Sequence, residues 1–132
     1  MGACYDVTLS INVTDEAAAV KALSEKLHSD TENGRARYAV DRCAEKGIAL
    51  NTLDGLISVL LAGDQSDVQI WDVGEFRHYE NAFDASYGWE RVMVEWFHIL
   101  TPFLGNGSKM LIYPDSDYDE FVIRDGQCVQ LH

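Results

Sequence analysis

Tyr5-Asp6-Val7-Thr8-Leu9-Ser10-Ile11-Asn12-Val13 is the stretch that decides the fold. Its odd-numbered positions are apolar or aromatic and its even-numbered positions are polar. Side chains of a strand alternate between two faces, so a period of two describes one buried face and one wetted face. A strand of a doubly covered parallel sheet reads instead as a continuous apolar run. The opening strand therefore belongs to an antiparallel or mixed sheet with helices on one side only.

The segments that follow supply those helices. Thr14 is placed to cap a helix whose first turn holds Asp15 and Glu16, with Val20, Leu23 and Leu27 as its apolar stripe. A second helix is expected over 35–46, with Ala36, Ala39, Val40 and Cys43 inward and Gly47 as C-cap. A third starts near Thr52, carries Leu53, Leu56, Ile57, Leu60 and Leu61, and ends at Gly63; Gly55 weakens it. Val68, Ile70 and Val73 mark a second strand, and residues 75–85 a third, with Gly74 between them. The strongest helical pattern covers 87–103, with Ser86 as its expected N-cap. Trp89, Val92, Met93, Trp96, Phe97 and Leu100 form one wide apolar face there. Strands follow at 109–113, 119–124 and 127–131, the last two joined by Asp125-Gly126, a dipeptide suited to a tight hairpin turn.

Without the inserted helices and the last hairpin, the order is βαββαβ. The expected fold is thus α+β, a ferredoxin-like sandwich with two inserted helices and a C-terminal β-hairpin. An irregular α+β sandwich is the alternative. The 132 residues fit a single domain, 1–132, large enough to bury one core without crosslinks. Cys4, Cys43 and Cys128 are odd in number and widely spaced, so they form neither a disulfide framework nor a zinc site. No basic segment followed by an apolar run opens the sequence, and no stretch is long and apolar enough to span a bilayer, so a cytoplasmic location is expected.

Charge is the unusual property. Ten basic residues stand against 22 acidic ones, net −12. Residues 1–63 carry 6 basic and 9 acidic side chains, and residues 64–132 carry 4 and 13. Such a chain repels phosphate backbones and anionic membranes and attracts basic partners, although solubility alone also accounts for acidity. Direct nucleic-acid binding is disfavoured further because the aromatics of 75–89 alternate with Glu75, Glu80 and Asp84 rather than with cations.

Sites of chemistry are sparse. Asp115, Asp117, Asp119 and Glu120 form the densest carboxylate cluster. Asp-x-Asp-x-Asp opens a calcium loop, but Glu120 stands where that loop needs glycine and Gly126 where it needs a bidentate glutamate. No metal site and no cofactor is expected. His28, His78, His98 and His132 show no ligand spacing. His78 with Glu80 offers an acid–base pair on a strand, against the plainer reading of a mixed-charge surface. Gly105-Asn106-Gly107-Ser108 precedes a strand rather than a helix, so it lacks the helix N-terminus that makes such a loop bind phosphate.

Tyr87-Gly88-Trp89-Glu90, Phe97 through Leu104, Asn106-Gly107-Ser108 and Tyr113-Pro114-Asp115-Ser116-Asp117-Tyr118-Asp119 resemble small acidic proteins of phages and mobile elements. Some of these serve as anti-CRISPR or antirestriction inhibitors. The resemblance covers about residues 79–132 and implies a non-catalytic inhibitor that mimics nucleic acid on a basic protein partner such as a nucleic-acid enzyme. The expected binding residues are Tyr79, Glu80, Asp115, Asp117, Tyr118, Asp119 and Glu120. Two other readings stay open: a small enzyme or ligand-binding domain with a site near His78, Glu80 and the Asp115–Asp119 turn, and a homo-oligomeric structural subunit.

Overall fold

The computed structural model describes residues 2–32, 45, 47, 49–62, 68–86, 88–113 and 118–132. Strand β1 spans Gly2–Ile11 and is followed by helix α1 (Glu16–Glu32) and helix α2 (Leu53–Ala62). A hairpin of β2 (Gln69–Val73) and β3 (Phe76–Ser86) leads into helix α3 (Trp89–Leu100) and a 3-10 turn, Thr101–Phe103. Strands β4 (Lys109–Tyr113), β5 (Asp119–Arg124) and β6 (Gln127–Gln130) close the chain. The architecture is α+β: a six-stranded sheet in the order β2-β3-β1-β4-β5-β6, antiparallel at every step. None of the described helices is long and apolar enough to cross a membrane. The helix expected over 35–46 lies outside the described residues except for Glu45, which is helical.

β1 is bonded to β3 from Gly2↔Ser86 to Ile11↔Arg77, and to β4 from Asp6↔Tyr113 to Ser10↔Lys109. Tyr5, Val7, Leu9 and Ile11 are buried, as the alternation requires, together with Tyr79, Phe83, Met110, Ile112, Phe121 and Ile123 from the strands around them. Against this face pack Ala19, Leu23 and Leu27 of α1, Leu56 through Leu61 of α2, and Trp89, Val92, Met93, Trp96, Phe97 and Leu100 of α3. The six α3 residues are those that a 3.6-residue period aligns on one face.

Polar groups inside this layer are tied to one another. Trp96 is fully buried and donates its indole N–H to Asp30 Oδ2 at 2.8 Å, while Lys26 Nζ lies 3.1 Å from Asp30 Oδ1. The last carbonyls of a helix lack intrahelical donors. In α2 that role falls to the Trp89 indole on Leu60 O (2.9 Å) and to Asn81 Nδ2 on Leu61 O (2.6 Å), which join α2 to α3 and β3.

Three boundaries differ from the sequence reading. Asp15, not Thr14, caps α1: its Oδ1 accepts from Ala18 N at 3.1 Å. Thr14 instead sends its hydroxyl and its N–H to Phe103 O, holding the end of β1 to the loop after α3. Ser86 does not cap α3, because it is still paired in β3; Gly88, with φ of 93°, occupies the cap position. The helix then ends at Leu100, where Pro102 enters a 3-10 turn rather than a continuing helix.

Gly55 is explained by space. A Cβ at this position would lie 1.5 Å from Ala49 O, so the chain entering α2 crosses against the helix itself. Thr52 completes the entry by accepting from Gly55 N at 3.0 Å. Alanine normally stabilises a helix interior by ~1 kcal/mol over glycine. Here Gly55→Ala should have the opposite sign and cost about 1–3 kcal/mol, as overpacking does. In the core, Trp96→Ala should cost about 3–5 kcal/mol. Trp96→Phe, which keeps much of the apolar volume but removes Asp30's indole donor, should cost about 1–3 kcal/mol. Urea midpoints at unchanged slope measure all three, and a stabilised Gly55→Ala or a neutral Trp96→Ala would contradict the packing described.

Candidate functional site

Helices cover one face of the sheet; the other is composed by the even-numbered residues of β1 and the partners that the register places beside them. One row runs Glu80, Thr8, Leu111, Glu120 across β3, β1, β4 and β5. A neighbouring row runs Ala82, Asp6, Tyr113, and beyond it Asp84 lies opposite Cys4. On the far side of the Glu80 row come Trp71, His78, Ser10, Lys109, Val122 and Val129.

This arrangement groups carboxylates. Asp6 faces Ala82, and Glu80 and Asp84 sit two residues to either side of Ala82 on the same face. Diagonal neighbours of this kind are roughly 7–8 Å apart. Three negative side chains therefore surround one small residue, with Asp6, Ala82 and Asp84 all exposed. Cys4 adds a thiol that donates to Asp84 Oδ1 at 2.8 Å.

Beside the carboxylates stands a stack of rings. Tyr113 and Tyr118 lie 5.3 Å apart between centroids, and Tyr118 and His132 4.0 Å apart and nearly parallel. The backbone holds the stack in place: His132 Nδ1 shares a 2.7 Å hydrogen bond with Tyr118 O, and Glu120 N donates to His132 O at 3.1 Å. At the opposite corner, Trp71 stacks on His78 at 5.3 Å, and His78 Nδ1 shares a 2.7 Å hydrogen bond with Ser10 Oγ. Ser10 is only 4% exposed. Its hydroxyl is thus shielded from any substrate and fixes the orientation of His78 rather than offering a nucleophile.

The expected site residues separate on this frame. Glu80 and Glu120 share the open face, half-exposed, and Tyr118 joins the ring stack. Asp119, paired with Ile112, has the opposite parity and points to the helix side at the start of β5. Asp115 and Asp117 lie outside the described residues. Tyr79 is fully buried and provides no surface: its parity is that of Leu9, and its hydroxyl donates to Asp54 Oδ1 at 2.6 Å. Strands β1 and β4 stand between Glu80 and Glu120, a distance of about 14 Å at the usual strand spacing, so His78 and Glu80 do not adjoin the start of β5. Asp6 is the functional candidate that the sequence reading passed over, although the alternation already put it on the wetted face.

The Gly105–Ser108 loop has a structural use. Asn106 Oδ1 accepts from Asp125 N at 2.7 Å, Gly107 N donates to Ile123 O at 3.0 Å, and Ser108 Oγ accepts from Asn12 N at 3.0 Å. Its polar groups tie the β5–β6 hairpin and the end of β1 together. In that hairpin Asp125 and Gly126 both have positive φ, 53° and 75°, as the tight turn demands.

Comparison with known proteins finds no family model, no curated protein and no solved structure that this chain matches. Among the described residues, no group of three or more histidine, cysteine or acidic side chains is arranged to hold a metal ion.

On the covered face a charged clamp joins α2 to the β2–β3 hairpin. Arg77 donates through Nε and Nη2 to both oxygens of Asp54, at 2.9 and 2.7 Å, and through Nη1 to Asp72 at 2.9 Å. The Arg77 hydrogen bonds hold the Asp54 carboxyl below the usual carboxylate range, and burial pushes the Tyr79 hydroxyl up. Tyr5 is also pushed up, by burial and by its hydrogen bond to Glu90. A carboxyl depressed on folding contributes stability that is present above its unfolded value, about 3.9, and is lost as pH falls through the folded value. Asp54 is partly exposed, so the contribution is modest. Between about pH 5 and pH 2 the protein should lose stability more steeply than its Asp54→Asn variant. Parallel pH profiles in urea titrations would show that the clamp contributes nothing.

Proposed function

We propose that this chain is a non-catalytic acidic binding domain for a basic protein. Its partner, in this reading, is a nucleic-acid enzyme whose channel it occupies with carboxylates in place of phosphates, in the manner of inhibitors carried by phages and mobile elements. The observation that carries the reading is the sheet face that none of the described helices covers, on which Asp6, Glu80 and Asp84 surround Ala82 beside the exposed Tyr113. The net charge of −12 supplies the long-range attraction, and screening by salt limits its reach. An exposed tyrosine adds contact area at little entropic cost. The Cys4 thiol is hydrogen-bonded to Asp84 and Cys128 is a free thiol, in keeping with a reducing, cytoplasmic setting. The finer description of the fold belongs with this proposal: a ferredoxin-like βαββαβ core, supported by the order β2-β3-β1-β4, to which β5 and β6 are added beyond β4.

A panel of RNA-guided nucleases and restriction endonucleases tests the function. At least one should be inhibited, with inhibition weakening steeply as salt rises and with nucleic acid competing. Asp6→Lys, Glu80→Lys and Glu120→Lys should each weaken inhibition by about tenfold or more without unfolding the domain. Glu25→Lys and Glu45→Lys, exposed residues of the first half, should leave it nearly unchanged. Mimicry fails if no enzyme of the panel is inhibited, or if the controls weaken inhibition as much as the open-face variants do.

A further inference from the structure

We propose that the open face recognises arginine: the ring of Tyr113 and the carboxylate of Asp6, directly opposite each other on β4 and β1, together form a slot that a guanidinium group of a basic protein enters from above the sheet. This rests on the binding reading above and gives it a specific chemistry.

The slot follows from the direction of the ring stack. Its steps of 4.0 and 5.3 Å are close to the spacing of strands, about 4.8 Å, so the rings stack across the sheet rather than along it. The stack begins with His132 beyond β6, continues through Tyr118 ahead of β5, and ends at Tyr113 on β4. The next strand is β1, where Asp6 is directly opposite Tyr113, and the one after is β3, where Ala82 is directly opposite Asp6. Ala82 is exposed and too small to fill the space above it. Tyr113, 45% exposed, thus has Tyr118 on one side across the sheet and Asp6 on the other, with the space above the small Ala82 just beyond Asp6.

A planar cation suits that gap. Guanidinium lays its flat face on an aromatic ring while the N–H groups on its edge fork onto a carboxylate. It would continue the stack as a fourth plane. An ammonium pairs with Asp6 as a point charge but has no face to stack. The potential around the gap favours a cation as well. Glu80 and Asp84 flank it, whereas Lys109 lies in the Ser10 row, two rows from Asp6, and Arg124 lies one row farther. A nucleobase would also stack, but its phosphates would meet the same carboxylates.

Fluorescence anisotropy with short labelled peptides distinguishes these occupants. One peptide carries arginines spaced by glycine and serine, the other lysines in the same places, and a single-stranded oligonucleotide serves as the third probe. At about 0.15 M salt the arginine peptide should bind about tenfold more tightly than the lysine peptide, and the oligonucleotide not at all. Tyr113→Phe should keep the preference and Tyr113→Ala should erase it. Ala82→Leu, which fills the gap without touching the stack, should erase it too, so the inference stays testable if Tyr113→Ala disturbs β4. Asp6→Asn should weaken both peptides. Equal affinity for the two peptides overturns the arginine slot while leaving an acidic binding face, and oligonucleotide binding overturns both. Failure of both peptides with enzyme inhibition intact overturns the slot alone; failure of both experiments overturns the proposed function with it.

Discussion

β1 is hydrogen-bonded on both sides, along its whole length to β3 and along half of it to β4. Pairing of this kind transmits parity: once Leu9 faces the helices, Tyr79 and Met110 must face them too, and so must Phe121 one strand farther on. The alternation of a single central strand therefore determines which side of all six strands is core and which is surface. A register slip of one residue would bury Asp6 and Thr8 and expose Val7 and Leu9. The cost of that exchange is what makes the arrangement unique.

The helices depend on this constraint and repay it through polar ties. Asp54 in the first turn of α2 is gripped by Arg77 and Tyr79 of β3, and the far end of α2 is met by Asn81 of the same strand. Three side chains on one face of β3 thus engage both ends of a ten-residue helix. Asp30 does the equivalent for α1, taking the Trp96 indole of α3 from a buried position. Burying a carboxylate is costly unless it is bonded, and here the bond orients the largest side chain of the core.

Legibility in the sequence followed the length and regularity of the signal. The period of two in β1, the apolar face of α3 and the Asp125-Gly126 turn each depend on neighbours in sequence, and each is where it was expected. Helix ends were harder, because Thr14 and Asp15 are both competent caps and only the distant Phe103 carbonyl decides that Thr14 is used elsewhere. The same holds at Ser86, a good cap residue that β1 keeps in the sheet. For the candidate site, counting acidic residues by sequence half drew attention to Asp115–Glu120. The carboxylates that the structure assembles come instead from both halves: Asp6 meets Glu80 and Asp84 only through strand pairing. Tyr79 looked like a surface aromatic because the charged residues around it hide the parity it shares with Leu9.

The division of labour between the two faces has a consequence for how such a protein changes over generations. Hydrophobic packing, the helix ties and the buried carboxylate all lie on the covered side. Asp6, Ala82, Asp84 and Tyr113 on the other side carry little of that burden, and exposed positions usually tolerate replacement within ~0.5 kcal/mol. Their side chains can be rewritten while the backbone that displays them stays fixed. A lineage confronting a target that keeps altering its own surface would find here a rigid frame with interchangeable lettering.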